Sequence, residues 1–421
     1  MKVLLVVHQY LPFHRAGTEI YTHSLAKELE RRGHQVLVYC HEARLDGQGI
    51  SFLVELYDGV RVRRVAAFAK REFLPWRRFQ RTFLNPRIEA DYAQVLEAWN
   101  PDVVHVQHLK DLSVGILEKT AARGVPLVMT LHDYWALCPN AQAIRPDGTI
   151  CRWPHPQLSC VCCAAWRVGL PVLRFAAPLV MPLFWQRARC VREQLERVDR
   201  FISPSQFLLR RYVEAGFSPP KFFMLENGFD YKRLGSLVLR RKGWRGHYAY
   251  IGSLAWQKGV HILIRAFTRL EARNIRLRIR GNLETFPEYV RSLREQAGGD
   301  ERISFEGELA ENRIGEALAW ADYLVVPSLW WENSPVTIQE AYAAGVPVIA
   351  SQVGALQEKV FPGITGLLFH PGDVEDLVKV LRQTVGNQEL FAALQAQLPR
   401  PPSIEEHVDQ LELIYKRLEK G

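Results

Sequence analysis

Short apolar, β-branched runs recur along this chain and are separated by longer segments whose apolar positions fall three and four residues apart. Lys2 to His8, Gln35 to Tyr39, Val60 to Val65, Asp102 to Val106, Pro126 to Leu131, Arg200 to Ser203 and Phe222 to Leu225 read as strands. Between them, Ile20 to Arg31, closed by Gly33, Arg87 to Trp99 and Leu112 to Arg123 read as helices, and another starts at Pro204 and ends near Gly216. A second series begins at His247 to Leu254 and continues through Leu277 to Arg280, Ile303 to Glu306, Tyr323 to Val326, Val346 to Ala350 and Gly366 to Phe369. After Asp373 to Thr384 a polar segment, Gly386 to Pro402, leads to a last helix, Ile404 to Leu418. Strands that alternate with helices and read as continuous apolar runs predict parallel sheets covered on both faces, an α/β class. With 421 residues, two large domains are the simplest division. No internal repeat or low-complexity tract is evident.

The densest chemistry lies in Asp322 to Gly354, DYLVVPSLWWENSPVTIQEAYAAGVPVIASQVG. The pattern predicts a strand, a loop, a helix with Pro335 in its first turn, and a strand, with Val336, Ile338, Tyr342 and Ala343 turned to a sheet. The helix start leaves backbone N–H groups unpaired just after Glu332-Asn333-Ser334, a spot suited to a phosphate or an oxyanion. Glu332 faces that mouth and Glu340 reaches the same ligand from the side, so two carboxylates can grip two sets of hydroxyls.

This E-x7-E spacing, followed by A-x-x-x-G-x-P-V-x-x-S and Gly354, resembles the donor-site signature of the retaining family 4 glycosyltransferases. The resemblance implies the GT-B fold: two Rossmann-like, doubly wound parallel-sheet domains facing a cleft, over 1–228 and 229–402, with a C-terminal helix, 403–421, crossing back to the first. Asn227-Gly228-Phe229-Asp230 resembles the family's interdomain junction. It further implies that Glu340 binds the ribose hydroxyls of a nucleotide and that Glu332 contacts the donor sugar, with Asn333, Ser334, Pro335 and Val336 around it. Lys258 matches the lysine that neutralises the donor diphosphate, whereas Ser253 stands where the family usually has arginine, so one charge-assisted contact is missing. In the first turn, Ala16 replaces one of two usual glycines and Gly17 remains. His132-Asp133 and His105 both fall at strand ends, where ligands bind in such sheets, and the resemblance implies for His132 the role of hydrogen-bond partner of the donor sugar near the reacting centre.

The expected activity is transfer of a sugar, with retention of configuration, from a nucleoside-diphosphate sugar to a hydroxyl of a glycan or lipid-linked glycan, as in polysaccharide and cell-envelope biosynthesis. No Asp-x-Asp motif occurs, which argues against a metal-bridged diphosphate and leaves helix-end amides and Lys258 to neutralise the leaving group. No cofactor is then required for catalysis. A nucleotide-sugar epimerase of the same architecture and a catalytically silent nucleotide-sugar-binding protein, the latter suggested by Ser253, are the alternatives.

Charge alters this picture in the first half only. Residues 1–203 hold 27 Lys+Arg against 19 Asp+Glu, leaving 27 against 26 for the rest. An anionic partner such as a membrane surface or lipid-diphosphate acceptor would be drawn there, and nucleic acid, possible on charge alone, has no supporting motif. Phe68 to Arg87 interleaves Phe73, Trp76, Phe79 and Phe83 with Lys70, Arg71, Arg77, Arg78 and Arg81, and Ala164 to Trp185 is mostly apolar but broken by prolines and arginines. Both either lie on a membrane or pack as helices near the acceptor site. Cys138, Cys151, Cys160 and Cys163 either supply four thiolates to a structural zinc or remain unligated thiols. The opening MKVLLVVHQYLP has too short an apolar core for a secretory signal, which with the thiols predicts a cytoplasmic protein, peripheral on the inner membrane face if those stretches dock there.

Overall fold

The computed structural model describes residues 1–45, 51–66, 75–151, 156–167, 171–235, 243–309 and 313–419. The chain divides into two compact units, Met1–Gly228 with Ile404–Gly421, and Phe229–Ser403.

The first unit opens with β1 (Lys2–Val7), α1 (Gly17–Arg31), β2 (Gln35–His41), β3 (Ser51–Tyr57) and β4 (Val60–Ala66). It continues with α2 (Pro75–Arg81), α3 (Pro86–Trp99), β5 (Val103–Val106), α4 (Gly115–Ala121) and β6 (Leu127–Thr130). The helices α5 (Leu158–Arg167) and α6 (Ala177–Leu195), then β7 (Arg200–Ser203), α7 (Gln206–Glu214) and β8 (Phe222–Met224), complete it. The sheet runs β3-β4-β2-β1-β5-β6-β7-β8. Every pairing is parallel except β3 with β4, an antiparallel hairpin closed by Asp58-Gly59 in left-handed conformations. That edge strand was not expected, because Phe52, Val54 and Leu56 are exposed and so break the buried pattern.

In the second unit come β9 (His247–Ile251), α8 (Val260–Phe267), β10 (Arg276–Arg280), α9 (Pro287–Ala297), β11 (Ile303–Gly307) and α10 (Ile314–Trp320). They are followed by β12 (Tyr323–Val326), α11 (Val336–Ala343), β13 (Val348–Ser351), α12 (Leu356–Lys359), β14 (Gly366–Phe369), α13 (Val374–Thr384) and α14 (Gln388–Ala396). The sheet order is β11-β10-β9-β12-β13-β14, all parallel. This is the doubly wound 3-2-1-4-5-6 arrangement, in which ligands bind where the order reverses, here between β9 and β12. The core packs Tyr248, Ile264, Phe267, Leu277, Tyr323 and Leu377 together, each such side chain contributing about 1.5–3 kcal/mol by full burial. Within the segment expected to be only polar, Asn387 caps α14 by accepting from the Leu390 amide.

The last helix, α15 (Ile404–Glu419), belongs to the first unit, where Val408, Leu411 and Tyr415 join the core of β1 and α1. Polar contacts fix its position. Tyr21 Oη lies 2.6 Å from His407 Nε2, and Arg32 Nη1 donates to Asp409 Oδ1 at 2.6 Å. His105, read from the sequence as falling at a strand end, is fully buried between Tyr415 Oη at 2.6 Å and Thr130 Oγ1 at 2.8 Å. Burial, helped by His407 and His132, pushes its pKa down to about 3, so it is a neutral core residue.

Of the two interfacial stretches, Phe68, Lys70, Arg71 and Phe73 lie outside the described residues. Phe83 is buried and Phe79 stacks on Phe184 with ring centroids 4.7 Å apart, so that part is core packing that ties α2 to α6. Trp76, Arg77 and Arg78 are exposed. Among the described residues no helix is long and apolar enough to cross a membrane.

Candidate functional site

At the reversal point of the second sheet, β9 runs out at Ile251 and β12 at Val326, and the loops that follow carry Ser253, Lys258 and Glu332. Lys258 ends a 3-10 turn, Trp256–Lys258, followed by Gly259 at φ 72°. A Cβ on Gly259 would come within 1.9 Å of the Pro327 carbonyl, so only glycine allows the two loops to touch. The Leu329 amide also donates to the Gln257 carbonyl at 2.8 Å. This contact brings Lys258 Nζ to 2.7 Å from Glu332 Oε1.

Glu332 is buried and its Oε1 accepts two further bonds, from Ser328 Oγ at 2.6 Å and Trp330 Nε1 at 2.8 Å. All three donors use the same oxygen, and among the described residues Oε2 takes none. Behind the loop, Gly354 sits at φ 58° against the backbone of Trp331 and Glu332, and the Ala355 amide donates to the Glu332 carbonyl at 3.0 Å. The carboxylate is therefore held rigidly with one oxygen in reserve. Lys258 also lies 5.2 Å from the Trp330 ring centroid, a cation–π contact that keeps its stem over the same loop.

α11 starts after Pro335, with Ser334, Pro335 and Val336 half-buried and Asn333 buried. Ser334 Oγ is buried and has no hydrogen-bond partner, an orphan polar atom beside the unpaired first amides of the helix. The buried face of α11 is formed by Ile338, Gln339, Glu340, Ala341 and Tyr342, whereas Val336 and Ala343, expected inside, are half-buried. Glu340 pairs with Arg233 Nη1 at 2.8 Å. Burial raises the Glu340 pKa, and the Arg233 guanidinium opposes that rise without cancelling it. Arg233 lies on a 3-10 turn, Tyr231–Leu234, and no local pattern pointed to it.

Ser253 is exposed; its carbonyl accepts from Tyr250 Oη at 2.7 Å. Arg280, the other cation at this sheet edge, is already ion-paired with Glu306.

The reversal point of the first sheet lies between β1 and β5, where His8 and His108 rings approach to 4.2 Å. His108 Nε2 lies 3.0 Å from Asp133 Oδ2, and His132 Nε2 lies 2.8 Å from Gln107 Oε1. Burial, then His108, pushes the half-buried His132 down to about 3, so it is a neutral imidazole whose Nε2–H donates to Gln107. His8 is likewise held well below its ordinary value by burial and by His108. Burial, the largest influence, would raise Asp133, but His108, the Trp135 amide and His132 together outweigh it and the pKa is lowered. Gly17 is the exposed first residue of α1 and has no left-handed conformation.

The four cysteines named above line one small pocket. As they stand, no three His, Cys, Asp or Glu side chains among the described residues are grouped to hold a metal ion.

Residues 15–233 match the Glycosyltransferase Family 4 domain and residues 245–387 the Glycosyl transferases group 1 domain. D-inositol 3-phosphate glycosyltransferase 1 of Catenulispora acidiphila is 27% identical, with 96% of this chain and 91% of that protein covered. Sucrose-phosphate synthase from Thermosynechococcus elongatus has a similar structure, with a TM-score of 0.68, 19% identity and coverage of 99% of this chain and 98% of that one. Anabaena HepE in complex with UDP-glucose gives 0.67 at 19% identity, covering 99% of this chain and all of the other. With two parallel-sheet α/β units of GT-B type and family domains matched along both, the chain belongs to the family 4, group 1 glycosyltransferases.

Proposed function

We propose that this protein is a retaining glycosyltransferase whose second unit holds a nucleoside-diphosphate sugar. The observation that carries this is the Lys258–Glu332 pair, with Glu332 Oε2 in reserve beside the orphan Ser334 hydroxyl and the start of α11. A lysine that can bridge a carboxylate and a diphosphate, next to helix amides, stabilises charge on a departing nucleoside diphosphate without a metal. Glu332 Oε2 then accepts from a sugar hydroxyl, and Glu340 is the ribose partner. In the reaction the bond from the anomeric carbon to the phosphate oxygen breaks and a bond to the acceptor oxygen forms on the same face. The acceptor proton passes to the departing phosphate oxygen.

The acceptor we propose is a glycan or lipid-linked glycan of the cell envelope, met at an anionic membrane surface. A surface around α5 and α6 supports this reading: Phe175 is 75% and Leu179 85% exposed, with Trp166 and Trp185 also exposed. Between Asp147 and Glu193 the chain has six arginines and no acidic residue.

A thermal-shift panel of nucleoside-diphosphate sugars, led by UDP-glucose, tests the donor assignment. A ligand at 100 times its Kd stabilises a folded protein by about 2.7 kcal/mol, and one donor together with its free diphosphate should do so. Product analysis by NMR should then find the transferred sugar with its anomeric configuration kept and no free isomer. A panel in which no donor stabilises the protein overturns the reading.

A further inference from the structure

Cys138, Cys151 and the Cys160–Cys163 pair are separated by 13 and 9 positions in sequence, and three local devices bring them to one pocket. Cys138 ends a tight turn, its amide donating to Tyr134 O at 2.6 Å and its carbonyl accepting from Ala141 at 2.9 Å. Ala141 and Ala143 then adopt left-handed conformations, at φ 61° and 50°, which non-glycine residues hold only when surroundings impose them. A small hairpin with Ile144 opposite Ile150 returns the chain so that the Cys151 amide donates to Ala143 O at 2.9 Å. Finally, α5 presents Cys160 and Cys163 one turn apart on the same side, while Cys162 between them is exposed and does not line the pocket.

Two of these four sulfurs receive an N–H donor. The Gln157 amide donates to Cys160 Sγ at 3.3 Å and Asn140 Nδ2 to Cys163 Sγ at 3.1 Å. An N–H turned onto a sulfur is a contact that a metal-bound thiolate also accepts. Arg187 is 2% exposed, donates to the Trp135 carbonyl at 2.5 Å and has Cys138, Asp133 and Cys160 among its electrostatic neighbours. A buried guanidinium calls for negative charge nearby.

We propose that this pocket is a closed structural site for a thiophilic divalent cation, zinc, bound tetrahedrally by Cys138, Cys151, Cys160 and Cys163. Binding releases the four S–H protons to solvent, forms four Zn–S bonds and leaves two net negative charges, which the N–H donors and Arg187 offset. All seven cysteines are free, so no disulfide competes for these sulfurs. As free thiols they are not yet gathered at ligand distance of a common point, and closure asks for rotation about their Cα–Cβ bonds. The proposal concerns the first unit alone and stands whether or not the donor reading above is right.

The test is elemental analysis of the full chain, purified from zinc-supplemented medium and dialysed without chelator. We expect about one zinc per chain, released to a chromophoric chelator when a mercurial blocks the thiols. Cobalt-grown protein should absorb with thiolate-to-cobalt charge-transfer bands. Cys160→Ser and Cys163→Ser should lose the metal and melt earlier, and Cys162→Ser should keep both metal and melting point. Should the serine variants fail to fold, the wild-type release assay decides. Folded wild-type protein that carries no zinc after dialysis against it, or a Cys162→Ser variant that loses metal equally, overturns the proposal.

Discussion

Arg233 Nη1 lies 2.8 Å from Glu340 Oε1, and both side chains are largely withdrawn from solvent. The sequence and its family resemblance cast Glu340 as a ligand-binding carboxylate and give it no part in the fold. The pair changes that expectation. Breaking a buried ion pair strands the remaining charge and costs about 3–5 kcal/mol. Glu340→Ala should therefore lower the stability of the second unit as well as its affinity for a nucleoside diphosphate. Combining it with Arg233→Met should restore most of the stability and none of the affinity, measured by urea denaturation and calorimetric titration.

The raised pKa of Glu340 gives stability and binding opposite pH dependences. A carboxyl whose folded value exceeds its ordinary 4.5 contributes stability fully below that value and loses it as pH rises through the folded value. Donor binding needs the carboxylate to accept from hydroxyls, so affinity should weaken as pH falls through the same region. Glu340→Gln should flatten both curves. Nucleotide affinity measured across that window should fall on acidification in the wild type only; an equal fall in the glutamine variant would remove Glu340 from the site.

Lys258→Met should act on the chemical step more than on the fold, because Lys258 is partly exposed and Glu332 keeps Ser328 and Trp330 as donors. Loss of one group that stabilises developing charge costs about 10²–10³ in kcat. Steady-state kinetics should find kcat lowered by such a factor with the melting temperature nearly unchanged. Trp330→Phe, which removes one donor from Glu332 Oε1 and leaves the cation in place, should have a smaller effect.

The sheets were legible in the sequence because β-branched runs such as Tyr323 to Val326 are buried on both faces, which leaves no polar alternation to confuse them. The β3 edge was not, since its apolar residues face solvent; the Asp58-Gly59 turn was its one local sign. His105 at a strand end looked like His132, and only the return of α15 puts Tyr415 against it. Likewise the Lys258–Glu332 contact depends on Gly259 meeting Pro327, a long-range approach that local periodicity does not encode. Arg233 was invisible for the same reason: its partner lies on a helix far along the chain.

Ser253 is exposed in the loop that carries Lys258, a loop without arginine, and Arg280 is engaged by Glu306. Ser253→Arg should tighten nucleoside-diphosphate binding, by about 1.5–3 kcal/mol if a charge-assisted bond forms. Calorimetry on the variant checks this, and weaker binding without unfolding would mean that the turn does not face the diphosphate.

The last prediction concerns the surface built by α2, α5 and α6. Trp76, Trp166, Phe175, Leu179 and Trp185 are exposed there, and exposed Arg77, Arg78, Arg174 and Arg189 lie along the same helices and the turn before α6. Single exposed apolar residues need no explanation; under the proposal above these aromatic and aliphatic tips, with arginines among them and no Asp or Glu between Asp147 and Glu193, form a face for anionic lipid, although Arg189 is itself paired with Glu193. Each basic residue near such a surface contributes about 1 kcal/mol, and aromatic side chains settle at headgroup level. The wild-type protein should therefore sediment with vesicles containing anionic phospholipid at low salt and release at high salt, because screening weakens the attraction. Arg77, Arg78 and Arg81 changed together to Glu should abolish sedimentation, as should Phe175→Ser with Leu179→Ser, while nucleotide affinity in the second unit stays unchanged. Wild-type protein that stays in the supernatant at low salt would assign this face to a protein partner or to self-association, which sedimentation velocity would then distinguish.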